Sequence, residues 1–257
     1  GHRQGDTDRG RLFRIAPPKT GYEVPQFDYK TAKGAVVALQ NPNQSVRYRA
    51  WMALKEMGDI AEAELLKLFE SANARHRARA LWLLGRIQGR GSHYVELGLT
   101  DQDENIRCVA IRLAKQLQLP PSIACLRAAK DPSAAVRREL ALALRFDTSD
   151  EMPSVWAILA NQHDGKDRWY LEALGIGSDL RADECFSAWK KTEESQVDTP
   201  VVRDIIWRVR AEQAASALVK IISNPELSLE ETNRYFRSLE YHKPEVRTEA
   251  MKKLLTL

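Results

Sequence analysis

An all-α solenoid of stacked helix pairs, preceded by a short extended segment, is the fold this sequence predicts, and three observations predict it. Ala and Leu supply 31 and 29 of the 257 residues while Gly and Pro are held to 13 and 11, a balance that favours helices over strands and tight turns. One short phrase returns at a fixed step: Val46-Arg47, His76-Arg77, Ile106-Arg107 and Val136-Arg137 put their arginines 30 residues apart each time. Apolar residues within each phrase recur at helical spacing, as in Val136, Leu140, Ala143 and Leu144. With 44% hydrophobic and 29% charged residues, the chain is too apolar for disorder and too polar for lipid. No apolar run approaches the roughly 18 residues that would span a bilayer.

The elements follow in chain order. Arg11-Leu12-Phe13-Arg14-Ile15 alternates as a strand does, and Pro17, Pro18, Gly21 and Pro25 then punctuate an extended linker, so residues 1–28 are set apart from a helical domain over 29–257. Six residues ahead of the four regular arginines stand Asn41, Ser71, Asp101 and Asp131, which are expected to cap the helices that follow, with Pro42 and Pro132 at the first helical position. Amphipathic segments at 61–69, 94–99, 123–129 and 155–160 alternate with these helices. The unit is therefore helix, turn, helix. A pair of this size cannot bury both apolar faces alone, so about six to seven pairs must stack. Beyond Asp147 the phrase loosens to weaker copies at Arg168, Arg203 and Arg247, after steps of 31, 35 and 44.

The Asp131-Pro132 turn, followed by Val136-Arg137 and an Ala/Leu-rich helix, resembles the short form of the HEAT repeat. A wider resemblance rests on the Asp8–Ile15 strand, the Pro-rich linker, Gly34–Leu39, the repeats, and the stretch Asp164-Gly165-Lys166-Asp167-Arg168-Trp169-Tyr170-Leu171 leading to Gly175-Ile176-Gly177. That order is similar to the large planctomycete- and verrucomicrobia-type membrane-bound dehydrogenase, or haem-binding CxxCH, proteins. The resemblance implies a β-propeller before the repeats, a c-type cytochrome domain after them, and export from the cytoplasm. The chain holds neither a full propeller nor CxxCH, so no catalytic or haem residue is carried over. It opens on Gly1-His2 without an initiator Met or a secretory h-region, a start expected of an excised fragment, and localisation is not read from it.

No residue pattern points to chemistry. A net charge of +4 selects no partner. Cys108, Cys125 and Cys185 form no CxxC pair and are read as small apolar residues, and the five histidines have no metal-ligand spacing. No cofactor or metal is expected. The column Arg47, Arg77, Arg107, Arg137, Arg168, Arg203 and Arg247 is expected to form an internal ladder on acidic or carbonyl groups, the alternative being a row of guanidinium groups facing a phosphate backbone or an acidic partner. Trp51, Trp82 and Trp207 with Asp204 and Arg203 could grip a base as in HEAT-like DNA glycosylases, whereas filling the inter-helix core is the plainer reading for six tryptophans. Gly175-Ile176-Gly177 is read as a helix C-terminus and His163-Asp164 as loop. The function expected is a non-catalytic scaffold for protein contacts inside a larger redox protein, with a nucleic-acid-binding module as the alternative.

Overall fold

The computed structural model describes residues 18–19, 21, 25–119 and 123–256, with the side chains of 123–125 outside the description. The strand expected over residues 11–15 lies outside the described residues. Fifteen α-helices and four short 3-10 turns make up the described part, which contains no strand.

Seven consecutive pairs are formed by α1 (Ala32–Leu39) with α2 (Gln44–Met57), α3 (Glu62–Phe69) with α4 (Ala74–Leu84), α5 (Gly91–Leu99) with α6 (Glu104–Gln116), α7 (Ile123–Ala129) with α8 (Ala134–Ala143), α9 (Met152–Ala160) with α10 (Arg168–Ser178), α11 (Ala182–Trp189) with α12 (Pro200–Arg208), and α13 (Glu212–Ile222) with α14 (Leu229–Ser238). The last helix, α15 (Pro244–Leu255), follows them. Contacts between successive pairs run along two rows: α1, α3, α5, α7, α9, α11, α13 and α15 form one, and α2 through α14 at even numbers form the other. This is an all-α, HEAT-like α-solenoid.

The core is one continuous apolar layer between the rows. It runs from Ala35 and Leu39 through Leu54, Leu81, Leu113, Leu140 and Trp156 to Leu218 and Ala250, and every one of these side chains is buried. Small residues let the rows close: a Cβ added at Gly177 would lie 2.3 Å from the carbonyl oxygen of Ala141 on α8. Gly177 is thus pressed on its neighbour, and Gly175-Ile176-Gly177 forms the C-terminal turn of α10, which ends at Ser178, as expected from the sequence.

The helix starts lie two residues later than expected. The N-caps of α2, α4, α6 and α8 are Asn43, Asn73, Asp103 and Ser133, whose side chains accept from backbone N–H groups of the first turn. Asn41, Ser71, Asp101 and Asp131 sit upstream and accept from the backbone N–H of those caps, at 2.8, 3.2, 2.8 and 2.8 Å. Pro42 and Pro132 fall between the two and are outside the helices. Both positions demand the same residue types, because an Asx or Ser/Thr turn and an N-cap each need a short side-chain acceptor. That shared demand is why the sequence alone assigns the cap to the wrong member of the pair.

Candidate functional site

The most regular polar construction in the molecule runs along the loops that enter the even-numbered helices. Arg77, four residues past its cap, turns its fork toward the next repeat: Nε donates to Oδ2 of Asp101 at 3.0 Å and Nη2 to Oδ1 at 3.1 Å. Its Nη1 reaches back to the carbonyls of Ser71 and Ala72 at 2.9 and 3.3 Å. Arg107 repeats the arrangement with Asp131, at 2.7 and 2.8 Å, and with the carbonyls of Asp101 and Gln102. One side chain therefore closes its own loop and joins two repeats, which only a planar, multi-donor cation can do. The hydrogen bond to Asp131 raises the Arg107 pKa above its already high ordinary value. Arg77 is 7% exposed, so its guanidinium has no face for a phosphate.

The ladder ends where its acceptor changes. Arg47 keeps the backward bonds to Asn41 and Pro42, but the position 24 residues on is Ser71, and among the described residues no carboxylate meets it. Arg137 keeps its bonds to Asp131 and Pro132 at 2.7 and 3.1 Å, while Asn161 holds the matching downstream position. Asn161 instead serves Trp189 Nε1 at 2.8 Å and Glu194 at 3.0 Å, and Arg137 lies 5.5 Å over the ring of Tyr170 with its Nε buried and unpartnered.

The three later arginines do not extend the column. Arg168 is the first residue of α10 rather than the fourth past its cap, is exposed, and stands 3.9 Å from Glu172 within its own helix. Arg203 is correctly placed in α12 but forks onto Asp198 in its own loop, at 2.6 and 2.7 Å. Arg247 is on α15, in the odd-numbered row, and is exposed.

Asp204 takes over the joining role at the far end. Its Oδ1 accepts from Arg234 Nη2 at 2.6 Å and its Oδ2 is 3.4 Å from His163 Nε2. Burial pushes the Asp204 pKa up, and the contacts with His163 and Arg234 outweigh it, so the carboxyl stays below its ordinary value. Arg234 also covers Trp207, its Cζ 4.6 Å from the ring centre, while Trp207 Nε1 donates to the Arg234 carbonyl at 3.2 Å. His163 stacks parallel to Tyr170 at 6.3 Å. Arg203 faces away from this group toward Asp198, and Trp51 and Trp82 lie on α2 and α4, five and four helices up the even row from α12. The residues considered for gripping a base are therefore not gathered, and Asp204 and Trp207 are engaged with the next repeat. The His163–Asp204 contact was not legible, since 41 residues separate the two and neither lies in a motif.

The remaining tryptophans divide by location. Trp156 and Trp189 are buried, with Trp156 Nε1 donating to the Leu174 carbonyl at 2.8 Å, whereas Trp169 is 71% exposed. Cys185 is buried, its thiol pushed up to about 12 by burial, and Cys108 is half-buried. Among the described residues no group of three His, Cys, Asp or Glu side chains is arranged to hold a metal ion, and no helix is long and apolar enough to cross a membrane.

No family profile and no curated protein matches the chain. Among solved structures it is similar to YibA of E. coli, at 16% identity and a TM-score of 0.44 over 91% of this chain and 99% of that one. It is also similar to the CpcE–CpcF complex of phycocyanin lyase from Nostoc, at 16% identity and a TM-score of 0.30 over 96% and 92%. An engineered protein matches at 16% identity and a TM-score of 0.38 over 88% and 71%. At such scores the architecture stands on the helix pairs themselves.

Proposed function

We propose that this chain is a non-catalytic scaffold that presents an extended surface for protein contacts, and that it serves a larger exported redox protein carrying a propeller and a c-type cytochrome domain. The observation that supports a scaffold is the use of the ladder: Arg77 and Arg107 spend both edges of their guanidinium groups on holding adjacent repeats in fixed relation. A stack joined in this way keeps its outer residues at set spacing over several repeats, which is what a docking surface requires. The redox setting is supported by the resemblance of the sequence at residues 8–15, the Pro-rich stretch that follows and residues 164–177 to the CxxCH dehydrogenase-type proteins. Function follows the site rather than the fold, so the test addresses the polypeptide directly. An antibody raised against this chain is used on source cells, and the band is sized and stained for covalent haem. A band far above 29 kDa that stains for haem is the expected result, and a haem-free band near 29 kDa overturns the redox setting.

A further inference from the structure

We propose that the outer face of α2 and α4 is the docking site for an acidic, amphipathic segment of protein chain; the proposal rests on the scaffold reading and names where and with what chemistry it acts. Arg47, Arg49, Lys55, Arg75, Arg79 and Arg86 lie on or just after these two helices, and among the described residues none of them is paired with a carboxylate; Arg47 and Arg79 donate to backbone carbonyls. Glu56 is the one acidic residue on α2, and α4 carries none. Partial burial and then the nearby charges of Arg47 and Arg75 lower the Arg79 pKa, which places three cations close enough to repel one another. Repulsion of this kind is relieved by an anion. Arg86 adds a buried Nε without a partner.

Further down the same row, cations are neutralised across each gap. Arg112 pairs with Glu139 at 2.6 Å, Arg208 with Glu172 at 2.7 Å and Arg234 with Asp204 at 2.6 Å. Among the described residues the cations of α2 and α4 have no such partner across their gap.

Apolar groups lie among these cations. Tyr48 is 63% and Met52 44% exposed. The Trp51 ring carries Lys55 and Arg86 at 5.4 Å each, and Arg49 lies 4.6 Å over Tyr29. Cations held over rings beside exposed apolar side chains fit glutamate or aspartate interspersed with leucine-like residues. A nucleic acid fits less well. Two packed helices, about 10 Å apart, reach only a few phosphates.

The test is fluorescence anisotropy on the full chain at low salt, with a fluorescein-labelled dodecapeptide of repeating Glu-Glu-Leu and, separately, an oligothymidylate of equal length. Arg49→Glu/Arg75→Glu should weaken peptide binding at least about tenfold, and the neutral pair Arg49→Gln/Arg75→Gln by a smaller factor. Reversal of two exposed lysines at the other end, Lys252→Glu/Lys253→Glu, should leave it within about twofold. Absence of peptide binding, equal loss in the remote variant, or tighter binding of the oligothymidylate each overturns the proposal. None of these outcomes bears on the size or haem content of the native polypeptide, so the scaffold's redox setting stands or falls separately.

Discussion

The two halves of the stack solve the same joining problem with different chemistry. From α2 to α8 the repeats are equal in length, and buried arginine–aspartate forks link Arg77 to Asp101 and Arg107 to Asp131. From α9 onward the spacing becomes uneven and the joints differ: Trp189 on α11 donates to Asn161 beyond α9, Arg208 pairs with Glu172 and Arg234 with Asp204, while Trp156 and Tyr170 tie α9 to α10 within one pair through the Leu174 and Leu159 carbonyls. A fork demands one fixed distance between arginine and acceptor, so it enforces equal repeats. Aromatic packing with a single polar tip tolerates steps of different length. Regularity in this chain is thus a property of the joint.

The largest effect that distinguishes the halves is expected from loss of a ladder carboxylate. Asp131→Ala leaves the Arg107 guanidinium buried without its partner and should cost about 3 to 5 kcal/mol of unfolding free energy. Asp198→Ala, which unpairs Arg203 from a side chain that is 63% exposed, should cost less than about 1 kcal/mol. Urea denaturation of the two variants settles it, and equal losses would break the distinction.

A pH effect should belong to the C-terminal half. Burial, assisted by Arg210 and opposed by Asp183, lowers the His242 imidazole from an ordinary value near 6.5 to about 4. The folded state therefore binds this proton less readily than the unfolded chain. The contribution is complete above about pH 6.5 and is lost as pH falls toward 4, to a total of about 3 kcal/mol. Between pH 7 and 5 the urea midpoint of the native protein should fall more than that of His242→Leu. Parallel midpoints would remove His242 from the account.

Next comes close packing across the boundary. Gly177→Ala improves helix propensity by about 1 kcal/mol, yet places a methyl 2.3 Å from the Ala141 carbonyl oxygen, so a net loss of about 2 kcal/mol is expected by calorimetry. A stabilised variant would mean that α8 and α10 separate freely. The smallest effect sharpens the ladder itself: Ser71→Asp supplies Arg47 with the acceptor that Arg77 and Arg107 already have, and should raise stability by about 0.5 kcal/mol. A lower melting temperature would show that spacing alone does not make the joint.

Much of the architecture was legible before any coordinates. The 30-residue step and the segments at 61–69, 94–99, 123–129 and 155–160 correspond to α3, α5, α7 and α9, because apolar periodicity reports burial directly. The arginine column was legible in part. Its first four members share one position after the cap, whereas Arg168 slipped to a helix start and Arg247 to the other row. A sequence match counts residues and is blind to which row a helix joins.

By itself the sequence determined the helical repeat and the two amphipathic faces, since both follow from neighbours within one or two turns. Tertiary structure decided which polar groups meet. Arg77 finds Asp101 across 24 residues, His163 finds Asp204 across 41, and Arg47 with Arg79 finds no carboxylate among the described residues. Charge pairing depends on distance in space, and stacking sets that distance only after every repeat is in place.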